Sequence, residues 1–365
     1  MHQISNQFSW QAMTRAETCN PVDLPAISVI IPAYNASETL GICLRSVFAS
    51  DYPDFEVIVV DDHSTDDTRT IARSTPCKLI ERDVNGGAAA ARNTGAANAT
   101  APILFFLDAD IAIEPSALQR VAKVLGERPD LTGLFGSYRD ETPAANFFSQ
   151  YKNLLHHYTH QISSPVAKTF ASGFGAVRTE AFKSLGGFDP GQRFLEDIEL
   201  GYRMHQAGYH VLLDRELQFT HYKRYTLASL VRSDFFGRAV PWTRLMLEKR
   251  VFQNDLNTRI NNIVSVPVSL TIFAAPLTVR FPWFSLLVAI SIVIFLALNH
   301  DFLMFLLRKK GLRFAIGGAL MTWFAYLYSG LGVLVGLAGY VRSRDTRKGN
   351  ATTHSGAIHD ANTIS

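Results

Sequence analysis

The chain has 365 residues, 47% of them hydrophobic, and a formal net charge of +3. That length allows one large domain or two small ones around a substantial core, and the charge is too small to argue for nucleic acid as a partner. The three cysteines, Cys19, Cys43 and Cys77, have the spacing of neither a metal clip nor a disulfide framework, which suits a reduced, cytosolic setting.

Residues 1–25 lack an apolar run of signal-peptide length and read as an N-terminal extension. "AISVIIPAYN" then predicts a buried strand ending near Pro32. "ETLGICLRSVFAS" predicts a helix with Leu40, Cys43, Leu44, Val47 and Phe48 on one face. "FEVIVVDD" is a second strand, "HSTDDTRTIARS" a capped helix and "CKLIERD" a third strand. "GGAAAARNTGAANA" is a glycine turn entering an alanine-rich helix, and "ILFFLDAD" is a fourth strand. This alternation predicts an α/β fold, a mostly parallel, Rossmann-like sheet with helices on both faces.

In such sheets ligands bind beyond the carboxyl ends of the strands. Strand one ends in Pro32, Tyr34 and Asn35, strand two in Asp61 and Asp62, and strand four in Asp108 and Asp110. On an extended chain residues i and i+2 face one side, so Asp108 and Asp110 are expected to aim at one point across Ala109. Two carboxylates that close cost energy unless a cation neutralises them or one is protonated, and Mg²⁺ or Mn²⁺ with phosphate oxygens as further ligands is the natural partner. Asp62 points the other way on an extended strand and reads as structural.

The segments "VIIPAYN", "VIVVDDHSTDDT", "GGAAAARNTGA", "FFLDAD", "GGFDP" and "EDIELGYR", in that order, resemble the family 2 glycosyltransferases of GT-A fold over residues 27–225. The resemblance implies inverting transfer of a sugar from a nucleotide-diphosphate donor. It implies that Asp110 binds the metal, that Asp108 touches the ribose or the metal, and that Asp61 reads the nucleobase. Pro32, Tyr34 and Glu38 match the nucleotide-side loop. Gly86 and Gly87 allow close backbone approach, and Arg92 is expected to turn back toward the nucleotide. Inverting transfer needs a base: Asp197 takes that role by resemblance, with Glu196 second. A helix amino terminus there is expected to favour the ionised carboxylate. Glu199 and Arg203 read as a helical ion pair. Gly173, Gly175, Gly186 and Gly187 are expected near the sugar or acceptor, and His221 near the diphosphate or metal. His156 and His160 have zinc-helix spacing but no third ligand.

The composition changes near residue 260, after a connector. Residues 226–261 mix apolar and basic side chains, as in a helix lying on a membrane surface. They contain Arg238 and Trp242 but not the Gln-x-x-Arg-Trp motif of processive members. Residues 262–341 carry three apolar runs, at 263–279, 283–299 and 314–340, read as about three transmembrane helices. Basic "LLRKKGLR" places its loop, and the catalytic domain, on the cytoplasmic side. The equally basic "RSRDTRKG" conflicts with the orientation that three spans would give. Residues 342–365 are expected to be disordered.

The whole reads as a multi-pass, metal-dependent glycosyltransferase of the cell envelope, with a UDP-sugar favoured by Asp61 and a lipid-linked or membrane-proximal glycan acceptor. The alternatives are a nucleotidyltransferase, which "PAYNASET" does not suit for want of a basic glycine loop, and a non-catalytic nucleotide-sugar-binding membrane module, which would need no base.

Overall fold

The computed structural model describes residues 24–249 and 260–359. Most of the N-terminal extension, with Cys19, lies outside the described residues, as does the end of the tail. Nine strands form one sheet: β1 (Ile27–Ala33), β2 (Phe55–Asp61), β3 (Lys78–Glu81), β4 (Ile103–Leu107), β5 (Ile111–Ile113), β6 (Leu131–Tyr138), β7 (Val166–Ala167), β8 (Phe174–Arg178) and β9 (His210–His221). The order is β3-β2-β1-β4-β8-β6-β9-β5, with β7 against β9. The β3-β2-β1-β4 half is parallel, as expected for strands joined by helices. Beyond it β8 runs antiparallel to both β4 and β6, while β6 and β9 are parallel.

The helices are α1 (Leu40–Phe48), α2 (Thr68–Arg73), α3 (Gly87–Ala97), α4 (Ala117–Glu127), α5 (Phe147–Ile162), α6 (Thr179–Ser184), α7 (Glu196–Gln206), α8 (Leu227–Asp234), α9 (Val240–Lys249), α10 (Ile260–Phe273), α11 (Phe284–Leu298), α12 (His300–Lys310) and α13 (Leu312–His359). On one face of the sheet α1 and α4 cover β1 and β4 through Leu40, Leu44, Val47, Leu118 and Val121. Phe48, expected on that face, is instead exposed and rests on Phe55. On the other face Ala89 and Ala96 of α3 let that helix sit close to the sheet, beside Phe106, Phe182, Phe188 and Met204. Pro32 is tolerated in a central strand because β1 pairs with β4 only as far as Ile30–Phe106.

The apolar third differs from the expected three spans. α10 has 14 residues and α11 has 15, each about 21–23 Å long at ~1.5 Å per residue, against a bilayer core of ~30 Å. Among the described residues only Leu312–Arg342 is long and apolar enough by itself to cross a membrane; α11 and α12 qualify only together, across a 65° bend. The chain is also helical through His359, where an unstructured tail was expected. A third apolar cluster joins this region to the sheet domain: Tyr151 and Leu154 of α5, Tyr225, and Leu230 of α8 pack with Phe302, Leu306, Met321 and Tyr328. The expected surface helix is present as α8, a π-helical turn at Phe235–Ala239, and α9. It lies between α7 and α13: Trp242 and Leu245 pack on Ile198 and Tyr202, while Ala239 and Thr243 meet Gly332 and Gly336.

Candidate active site

The carboxyl ends of β1, β2 and β4 meet at one edge, as the sequence predicts. Asp61 ends β2 fully buried. Its Oδ2 accepts from Arg69 Nε (2.7 Å) and Ser64 N (3.1 Å), and its buried Oδ1 has no protein partner. A buried, unpartnered carboxylate oxygen is an acceptor waiting for a donor. Asp62 is structural, as expected, and its partners correct the reading of the glycine turn. It accepts from Gly86 N (3.1 Å), Gly87 N (2.7 Å) and Arg82 (2.8 Å). The amides of the α3 amino terminus are therefore taken by a protein carboxylate, not left for a ligand. Gly87 needs its φ of 81° to do this. Asn35 and Asp66 stitch the β1 and β2 loops together by bonding Thr65 N and Ser37 N. Burial opposes ionisation of Asp66, but hydrogen bonds from Thr68 and Ser37 hold its carboxyl at about 2. Tyr34 and Glu38 stand exposed at this edge, with Tyr34 53% accessible.

Asp108-Ala109-Asp110 is not extended. Ile111 N bonds Asp108 O at 3.1 Å and closes a turn between β4 and β5, so the expected i, i+2 convergence gives way to two different partners. Asp108 Oδ1 accepts from Arg92 at 2.7 Å. Asp110 Oδ2 lies 3.4 Å from His221 Nε2 at the end of β9. Burial pushes the Asp110 carboxyl up, but His221 and Lys223 outweigh it and hold it below the usual range. Among the described residues no three His, Cys, Asp or Glu side chains form a ready-made metal cluster. The Asp110–His221 pair nevertheless suits a divalent ion that takes its remaining ligands from a diphosphate and water.

Arg92 is buried, and its guanidinium is shared between two carboxylates. Its second amine donates to Glu196 Oε1 at 2.7 Å, on the first residue of α7. Asp197 follows, with Oδ2 3.4 Å from Ser172 N and Oδ1 accepting from Ile198 N at 2.8 Å. Its environment corrects the helix-terminus expectation: burial first, then the charge of Glu196, outweigh Arg92 and push Asp197 up to about 6. Leu195, just before, is held at φ 61°, an uncommon backbone for a leucine. Glu199 pairs with Arg203 as expected, and also with Lys249 of α9 at 2.9 Å.

The glycines divide. A Cβ on Gly173 would lie 2.8 Å from Asp108 Oδ2, and Gly173 O accepts from Asp108 N at 2.9 Å, so Gly173 belongs to the site. Gly175 is buried in β8, where a Cβ would strike Ala171 O; Gly187, at φ 73°, would strike Asn93 Oδ1. Both are packed against protein atoms, and Gly186, at φ 77°, has open space around it. His156 stacks on Tyr138 (4.7 Å, 17°) and accepts from Arg238 at 3.2 Å, and His160 meets Gly136 O. Sequence reasoning missed Ser172, whose amide meets Asp197, and Asn93, which bonds both N and O of Phe188. Their signals were the residue before Gly173 and the residue after Arg92.

Residues 28–186 match the protein family described as Glycosyl transferase family 2. The chain is 38% identical over 141 residues to glycosyltransferase AglE of Haloferax volcanii, covering 36% of this chain and 46% of that protein. It is 31% identical over 243 residues to validoxylamine A glucosyltransferase of Streptomyces hygroscopicus, covering 53% and 54%. The chain spans about half the length of these curated relatives. Among solved structures, mannosyltransferase PcManGT from Pyrobaculum calidifontis, in complex with GDP-Man and Mn²⁺, aligns with a TM-score of 0.53 at 19% identity, over 86% of this chain and 90% of that one. That likeness bears on the fold alone. The family match falls on the β1–β8 half of the sheet, so residues 28–186 form a domain of glycosyl transferase family 2 with a GT-A arrangement of its strands.

Proposed function

We propose that the chain is a membrane-attached, inverting glycosyltransferase that moves a sugar from a nucleoside diphosphate, UDP favoured, to a lipid-linked or membrane-proximal glycan. The observation that carries this reading is the joint placement of the Asp110–His221 pair and the Asp197 carboxylate. Asp197 and Asp108, the latter two residues before Asp110, bond one segment: Ser172 N donates to Asp197 and Gly173 O accepts from Asp108 N.

Asp61 Oδ1 accepts the imino N–H of the base, with Tyr34 and Pro32 lining the same end. Asp110, His221 and Asp108 hold Mg²⁺ or Mn²⁺, which when bound neutralises charge on the diphosphate. Asp197 takes the proton of the acceptor hydroxyl as that oxygen attacks the anomeric carbon. The bond from that carbon to the diphosphate breaks on the opposite face, its electron pair leaving with the diphosphate, and the configuration inverts. A carboxyl near 6 is ionised at neutral pH and still basic enough to serve.

Membrane attachment is supported by surface chemistry. Leu286, Val293, Leu312, Leu320 and Leu334 stand more than 60% exposed on α11 and α13, more apolar surface than a soluble chain presents. Lys309, in the basic end of α12, pairs with Asp140 of the sheet domain. That contact supports a sheet domain on the cytoplasmic side with the basic loop.

The test is nucleoside diphosphate release by the full chain in nanodiscs with Mn²⁺ and a panel of nucleotide sugars. Release is expected with at least one donor and is lost on chelation. No release with any donor would end the reading.

A further inference from the structure

We propose that Arg92 is a positioning residue that makes the donor edge and the base one electrostatic unit, and that it decides which of two adjacent carboxylates is the base. This rests on the glycosyltransferase reading above. Arg92 is 4% exposed, and its fork bonds Asp108 and Glu196, residues 16 and 104 positions away, both at 2.7 Å. Its planar guanidinium can hold two carboxylates at fixed separation, which a point-charge ammonium cannot. Its neighbour Asn93 clamps Phe188 N and O at 2.9 and 2.7 Å, and the Arg92 guanidinium lies 5.7 Å from the Phe188 ring. α3 therefore grips the chain leading into α7 at two places.

Glu196 is committed to this bridge. Asp197, bonded only through backbone amides, is the carboxylate of the pair left free to accept a proton. The same cation fixes Asp108 against Gly173. Loss of Arg92 thus disturbs donor binding through one arm and turnover through the other, and the two arms are separable by substitution.

The experiment uses the full chain in nanodiscs, with the nucleotide sugar that the wild type turns over. Donor affinity is read by calorimetry with Mn²⁺, transfer by kcat and KM, and folding by thermal melting. For Arg92→Lys, which keeps the charge and the fold, we expect kcat to fall on the order of 100-fold, with donor affinity about tenfold weaker. Glu196→Gln is expected to lower kcat at unchanged donor affinity. Asp108→Asn is expected to weaken donor affinity. Combining Arg92→Lys with Glu196→Gln is expected to reduce kcat little beyond Arg92→Lys alone, because both break the same bridge. Near wild-type kcat in Arg92→Lys, or fully additive losses in the double variant, would overturn the proposal. Because Arg92→Lys is compared with a wild type that turns over its donor, such a result leaves the glycosyltransferase reading standing.

Discussion

The donor edge and the base edge satisfy their acids over different spans of chain. At the donor edge the acids at and after the end of β2 bond within 29 residues: Asp61 has Ser64 and Arg69, Asp62 has Arg82, Gly86 and Gly87, and Asp66 has Thr68 and Ser37. At the base edge Asp197 reaches back 25 residues to Ser172, a span like that of Asp62, but Glu196 reaches back 104 to Arg92. A site built from neighbours tolerates shifts elsewhere in the chain. A site built from distant partners is only as well placed as the helices that carry them. The base edge is thus the part on which α3, α7 and α9 must agree.

Substitutions can break this contrast, and the largest effect belongs to the Asp110–His221 pair. Asp110→Ala removes the only acidic partner of His221 shown there and should abolish diphosphate release in the nanodisc assay. Asp197→Asn should lower kcat about 10²–10³-fold with donor affinity unchanged, since only proton transfer is lost. Normal transfer by that variant would move the base role elsewhere. The acid limb of kcat/KM should lie near pH 6, the value to which burial and Glu196 push Asp197. Below it the base is protonated and kcat/KM falls about tenfold per pH unit. A limb near pH 4 would mean that Asp197 titrates as an exposed carboxyl. Gly173→Ala puts a Cβ 2.8 Å from Asp108 Oδ2 and should weaken donor binding about tenfold, or ~1.4 kcal/mol, by calorimetry. The mildest case sharpens the other side. Asp62→Ala leaves two amides and Arg82 unsatisfied and should destabilise the fold by about 1–3 kcal/mol, seen as a lower Tm, with kcat little changed.

The same contrast explains what the sequence discloses. The β1 and β2 ends were legible because each strand carries its polar residues at its own carboxyl end. Asp61, Asp62 and Tyr34 sit where the strand pattern puts them. The turn at Asp108-Ala109-Asp110 was not legible, because periodicity cannot tell the last residue of a strand from the first of a turn. Arg92 was seen but its partner Glu196 was not, since that pairing joins residues 104 positions apart, a tertiary fact. Glycines at 175 and 187 resemble site glycines in sequence and differ only in what surrounds them, a strand neighbour in one case and Asn93 in the other. The apolar third was read as three spans, and two of its helices are shorter than that. Hydropathy counts residues, whereas α10 and α11 are interrupted by Pro276, Pro282 and the turn between them.

The central claim is that the diphosphate of a donor is held at the Asp110–His221 pair through a divalent ion. Calorimetric titration of UDP into the full chain, with Mn²⁺ and again with chelator, tests it directly. The account predicts binding that requires Mn²⁺ and disappears in Asp110→Ala. Equal affinity with chelator present, or full affinity in Asp110→Ala, would contradict it.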